Sequence, residues 1–448
     1  VVDRQRYMEI LSGQIRCKRA VPLVTKELEA HIEEQKADFL AEGMSESEAE
    51  ELSVREMGDP VEVGIQMDGI HRPKMNWRLI FVIGLVSAAG LMAWFGLNIR
   101  VAGGVNEPQG GIYHLFFRHV IYTAAGFLAM VGICYIDYTW LAAKSKKIML
   151  IYSGALLLIP IVNVQLSSDV FSEGYMAAVW LMAFLFLPLC CGVMYGYRGQ
   201  GISGLLKGTA WMLPVVISPL IYRNRMEMLL FLFVLAAVLS YAVGTGTFCI
   251  PVKRTLLIIW AVTIILFAGI MKADGFTSFG ILPEMYEEFM EQSQDKVQEI
   301  IAGSHALGNA GETGGVQGKE FEFSIGVQGE MLEITEVFPM GSEFILTYMA
   351  VCFGTFAVAV VSLVVGTLLL RLLALSVKQK NHLGRLMGLG CGLVLFIHAA
   401  GYMLVNVGVI MPEQLYCPFV IESRGVIVTY VLLGIMLSIY RYQSISEA

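Results

Sequence analysis

Charge is scarce in this chain. Only 15% of its 448 residues are Asp, Glu, Lys or Arg, and mean hydropathy is +0.65. A soluble domain carries about 25% charged residues. That shortfall excludes an ordinary soluble enzyme. Basic tracts interleaved with aromatics are also missing, which removes nucleic acid as a partner. Eight cysteines occur, but none in a CxxC spacing. They read as small buried hydrophobes rather than a redox or zinc centre. No internal repeat is evident, and no cofactor motif stands out. Metal is discounted as well, because Asn309-Ala310-Gly311-Glu312 lacks the ligand spacing of a calcium-binding loop.

What the chain has is apolar length. Runs of 18 or more apolar residues recur, as membrane crossing requires. Ten spans are read at roughly 78–97, 115–136, 148–164, 175–195, 208–222, 227–247, 254–271, 343–370, 386–411 and 425–440. The fold class is therefore an all-α polytopic membrane protein. The fifth span carries Pro214 and Pro219, so a kink or break is expected there. Orientation follows the basic residues. Lys144, Lys146, Lys147, Arg198, Lys207, Lys253, Arg254, Arg371, Lys378, Lys380 and Arg385 fall in loops that share one side. That side is read as cytosolic, with both termini inside.

Two polar stretches interrupt this pattern. Residues 1–75 read as a small cytosolic helical bundle ahead of a membrane domain over 76–448. Leu23, Leu28, Ile32, Phe39 and Leu40 have helical spacing, and Gly43 supplies a stop. Ser45 with Glu48 forms a capping box, and Pro60 suits a helix's first turn. The bundle resembles the permease-prefix domains of Gram-positive membrane proteins, on Glu27-Leu28-x-Ala30-His31-Ile32-Glu33 and Glu56-Met57-Gly58-Asp59-Pro60. The resemblance implies a regulatory or assembly role without chemistry. The second stretch, 272–342, is a long loop on the outer side. From Lys272 to Glu343 it holds fourteen acidic residues and three lysines. Within it, Glu320–Ile325 and Met331–Val337 alternate polar and apolar residues around Gly326–Gly329, which predicts a short β-hairpin.

Several strings resemble the FtsW/RodA/SpoVE proteins, the SEDS family, in the family's order. Phe116-Phe117-Arg118-His119 and Ile136-Asp137-Tyr138-x-Trp140-Leu141 are similar to its FFxRQ and IDYRWL pieces. Tyr197-Arg198-Gly199-Gln200-Gly201 resembles an RYRGQG loop, and Ser342–Tyr348 the HTDFIF string with Glu343 at the Asp position. Asn406-x-Gly408 and Pro418-Phe419-Val420 complete the series. The resemblance implies cell division or cell shape as the process and peptidoglycan biosynthesis as the activity. Its members are glycosyltransferases that polymerise lipid II, an undecaprenyl diphosphate-linked precursor, beside a class B penicillin-binding protein of the divisome or elongasome.

Such chemistry needs an outer carboxylate to deprotonate a sugar hydroxyl and cations to stabilise the departing diphosphate. The family's DPxGxGYQ turn has lost its proline and glycines here, and Asp295 stands near the acid's place only with a shift of register. Asp295 is either that base or a solvated helix residue. Arg118, Glu343, Arg424 and Glu173 are the substrate-binding candidates. For Arg118 the reading is a substrate or ion-pair role, since a charge at that depth needs a partner, and the alternative for Arg424 is an interface arginine pairing with lipid headgroups. The alternative to an active enzyme is an inactive SEDS-like scaffold or a binder or transporter of lipid-linked precursors.

Overall fold

The computed structural model describes residues 3–18, 20–102, 110–166, 172–221, 225–272, 298, 344–409, 415, 417–420 and 425–443. These residues are helical and divide into two compact units. The expected hairpin at 320–337 lies outside the described residues.

One unit gathers Val1–Asn76 with Gln379–Asn381 and Ile439–Ala448. Its helices are α1 (Arg4–Gln14), α2 (Val21–Ala41), α3 (Glu46–Glu56) and α4 (Pro60–His71). Each boundary has a local cause. Gly43 adopts φ 96°, the left-handed conformation that stops a helix. Ser45 and Glu48 form the expected capping box ahead of α3, and Asp59 caps α4 by accepting from the Val61 N–H at 3.1 Å. Tyr7, Leu11, Val24, Leu28, Ile32 and Val54 make a small core, on which Tyr442 also packs. Buried Asp68 ties α4 to the chain after α1, accepting from the Arg16 N–H at 2.9 Å with the Arg16 guanidinium 3.5 Å away.

The other unit comprises Trp77–Lys378 and His382–Ser438. It contains α5 (Trp77–Ala102), α6 (Gly110–Tyr135), α7 (Tyr138–Leu166), α8 (Ser172–Tyr195), α9 (Ile202–Ala210), α10 (Leu213–Ile221), α11 (Arg225–Gly244), α12 (Val252–Lys272), α13 (Ile345–Phe353), α14 (Thr355–Val377), α15 (His382–Asn406) and α16 (Gly425–Arg441). Among the described residues six stretches are long and apolar enough to cross a membrane: Trp77–Leu97, Phe116–Tyr135, Glu227–Gly244, Val252–Lys272, Thr355–Val377 and His382–Asn406. The protein is thus a polytopic all-α membrane protein. Within the expected fifth span the helix breaks at Trp211–Met212, just before Pro214, where α9 ends and α10 begins. The expected eighth is broken as well: Gly354, at φ 90°, separates α13 from α14.

Packing within the membrane unit uses small residues where backbones approach. A Cβ at Gly90 of α5 would collide with the Phe419 carbonyl, and one at Gly126 of α6 with the Tyr430 ring. Hydroxyls bond across helices, as from Tyr430 Oη to Ser87 Oγ at 2.6 Å and from Ser438 Oγ to the Ile136 carbonyl at 2.5 Å. The cysteines Cys134, Cys190, Cys191, Cys391 and Cys417 are buried free thiols and fill the core as small hydrophobes.

Candidate functional site

The start of the crossing stretch of α6 carries the first candidate. Arg118 is exposed, one residue ahead of buried His119. The His119 ring lies 5.7 Å from the indole of Trp94 on α5, and Phe116 lies 5.4 Å from Phe95. Trp94 in turn donates its Nε1–H to the Val420 carbonyl at 2.8 Å. A buried indole N–H needs such a partner, and a backbone carbonyl in a non-helical turn has none of its own. The turn at Pro418–Val420 is pulled onto α5 in this way, with Phe419 at φ 69°.

Beside this turn is an apolar cavity of about 120 Å³. Trp94 and Leu97 of α5, Ile345 and Met349 of α13, Val364 of α14 and Phe419 contribute to its wall. The start of α13 is fixed from the far side by α15. The Ile345 N–H donates to the Tyr402 hydroxyl at 3.1 Å, and the Thr347 N–H to Asn406 Oδ1 at 3.0 Å. Four of the sequence strings singled out above therefore meet at one end of the unit: Phe116–His119, Phe344–Thr347, Asn406–Gly408 and Pro418–Val420.

Basic side chains mark the other end of α6, roughly 25 Å away at 1.5 Å per residue. Lys144 sits over the Trp140 ring at 4.6 Å, Lys146 over Tyr197 at 4.2 Å and Arg198 over Tyr195 at 4.4 Å. The Ile136–Leu141 and Tyr197–Gly201 strings lie among these pairs, and none of their residues lines the cavity. An apolar cavity at the same end of the unit as the exposed Arg118 suits an amphiphile with an anionic head.

The remaining candidates are placed less fully. Glu173 falls in the first turn of α8. Asp295, Glu343 and Arg424 lie outside the described residues. Gln298, three residues after Asp295, donates Nε2–H to the Gly408 carbonyl at 2.5 Å. That bond ties the acidic loop to the same helix end that holds Thr347.

Sequence reading passed over two groups. Glu227 is 2% exposed, although it opens a crossing stretch, and a carboxylate buried there is costly without a role. Its signal was an acid between Met226 and Met228 just ahead of an apolar run. Trp94 was read as part of a generic apolar run, and nothing local distinguishes it. His398, within the ninth expected span, reads from sequence as a residue that bonds another helix, and its ring lies 4.6 Å from Phe184 and 6.4 Å from Phe231.

No protein-family model matches the chain, and no curated protein matches it in sequence. Its fold, however, is that of a class of bacterial membrane proteins of known structure. It superposes on a chain from a peptidoglycan synthase complex that coordinates polymerisation and crosslinking, with a TM-score of 0.56 and 18% identity, covering 82% of this chain and 98% of that one. The particular protein it is also similar to is RodA, the rod shape determining protein of Thermus thermophilus. Two crystal structures of RodA, one a point mutant, align at TM-scores of 0.51 and 0.52 with 16% identity, over 82% of this chain and 97% of RodA.

Proposed function

We propose that this protein is a SEDS-family membrane protein of bacterial cell-wall synthesis, and that it polymerises glycan strands from lipid II through a diverged outer site. The observation that carries the reading is convergence. Strings that resemble the family in sequence gather at one end of the unit, and two of them supply Ile345, Phe419 and Val420 to an apolar cavity there, in a chain whose fold is that of RodA and of a peptidoglycan synthase. Either likeness alone would be weak, since the strings are short and the shared identity is 18% or less.

On this reading ten spans cross the cytoplasmic membrane of a bacterium, with both termini and the prefix bundle inside. The end bearing Arg118 faces outward, because the basic residues collect at the other end. The cavity takes part of the isoprenoid chain. Arg118 and Arg424 meet the diphosphate, where fixed cations stabilise charge that builds on the leaving group. Asp295 accepts the proton of the attacking sugar hydroxyl. Glu343 and Glu173 orient the sugar or the cations. A class B penicillin-binding protein is the partner, as a crosslinking activity must stand beside a polymerising one.

A specific observation favours a second reading, a scaffold that binds lipid II without polymerising it. The turn that bears the acid in the family has lost its proline and both glycines, and Gln292 stands at the ungapped position. Lipid II binding is common to both readings, and turnover separates them. Purified protein should bind lipid II and convert it to polymer, and Asp295→Asn should bind but not convert. An Asp295→Asn variant that polymerises at the wild-type rate would remove the base from the account.

A further inference from the structure

The N-terminus of α13 is capped by another helix. Phe344 occupies the cap position and has no side-chain oxygen to offer, so the first N–H groups of α13 need partners from elsewhere. Helix α15 supplies them. Tyr402 Oη accepts from the Ile345 N–H, and Asn406 Oδ1 accepts from the Thr347 N–H. The Thr347 hydroxyl lies 3.2 Å from both the Asn406 carbonyl and Oδ1. Asn406 is itself oriented, since its Nδ2–H donates to the Tyr402 carbonyl one turn back at 2.9 Å. That bond fixes which amide atom faces Thr347. Thr347 and Asn406 are 2% and 1% exposed, so neither can turn to water instead.

The same helix end has a second use. Gly408, at φ 68°, closes α15 in a Schellman motif: its N–H bonds the Val405 carbonyl at 2.9 Å, and the Val409 N–H bonds the Leu404 carbonyl at 2.9 Å. The left-handed residue turns its own carbonyl away from the helix, and Gln298 takes it. Residues 298 and 345, which bracket most of the acidic loop, are thus both fastened to residues 402–408.

We propose that Asn406 is a positioning residue, and that the Tyr402–Gly408 end of α15 is a common anchor for Gln298 and for the start of α13, the described points on either side of residues 299–343 of the acidic loop. The assignment of chemistry to that loop rests on the function proposed above; the anchor itself rests on geometry alone. Asn406 acts through Thr347 and need not touch substrate, while Gln298 is held separately by the Gly408 carbonyl.

The test is hydrogen exchange by mass spectrometry on the full chain in nanodiscs, combined with kinetics. In Asn406→Leu, amides 345–350 should exchange about tenfold faster, as expected when a buried cap is lost. Thr347→Val, which loses only the hydroxyl, should give a smaller rise, and Thr347→Ser should match wild type. Peptides within α2 and α14 should not change in any variant, which separates a local release from unfolding. In turnover, Gln298→Ala should lower kcat with KM for lipid II within about twofold, since it frees no cavity-lining residue, while Asn406→Leu, which also loosens the cavity-lining Ile345 and Met349, should lower kcat and raise KM. Unchanged exchange at 345–350 in Asn406→Leu would overturn the anchor. Faster exchange with unchanged kcat would overturn the positioning role. An inert wild type would instead defeat the proposed function, and exchange alone would then decide the anchor.

Discussion

Trp94 and Val420 are 326 residues apart in sequence and 2.8 Å apart in space, joined by an indole N–H and a backbone carbonyl. The bond ties the Pro418–Val420 turn to the first crossing helix and closes one wall of the apolar cavity. It requires the two backbones to come close, and Gly90 is what permits this, because a side chain there would strike the Phe419 carbonyl.

Gly90→Ala should therefore move the turn. A clash with backbone cannot be relieved by a rotamer change, so a cost of about 1–3 kcal/mol is expected. Trp94→Phe, which keeps the ring and loses the donor, should cost about 1–3 kcal/mol by leaving a buried carbonyl unbonded. Thermal unfolding of the detergent-solubilised protein measures both. Gly132, whose Cβ would meet nothing, is the control position for Ala substitution on a crossing helix.

The N-terminal helical bundle offers a prediction with a pH sign. The Ser45 hydroxyl, and then the Ser45 backbone N–H, hold the Glu48 carboxyl below its usual value of 4.5. A lowered pKa in the folded state means the contribution is present above about pH 4.5 and is lost as pH falls through the lowered value. Ser45→Ala should remove it together with the cap. Exchange over residues 46–56 of the full chain should rise in Ser45→Ala at neutral pH, and in wild type only on acidification.

Much of the bundle was legible in the sequence because its signals are local. Gly43, Ser45 with Glu48, and Asp59-Pro60 each act within a few residues, and each sits where its chemistry predicts. The six crossing stretches were legible for the same reason, since apolar length is a local property. The site was less legible. Thr347 and Asn406 are ordinary polar residues at the ends of apolar runs, and only the fold makes them partners across 59 positions. Gly354 looked like any glycine in a span until its φ of 90° broke that span. Asp295 stayed ambiguous because a carboxylate's role depends on what it faces, which one-dimensional spacing does not carry.

Arg118 is exposed at the start of the crossing stretch of α6, so its replacement should leave stability nearly unchanged. Under the proposed function Arg118→Gln should lower kcat/KM for lipid II by about 10- to 100-fold, the range of a charge-assisted contact. Arg118→Lys should recover only part, because an ammonium lacks the guanidinium's fork. Equal kinetics for Arg118→Gln and wild type would assign Arg118 to the lipid headgroups instead.

The central claim is that this chain makes glycan polymer. Purified wild-type protein, reconstituted with lipid II beside active RodA in the same assay, tests it most directly by gel resolution of the products. The account predicts a ladder of lengthening glycan strands from wild type and none from Asp295→Asn, with both proteins folded by thermal unfolding. Wild type that binds lipid II but yields no ladder, where RodA does, would contradict the account and leave a lipid II-binding scaffold in its place.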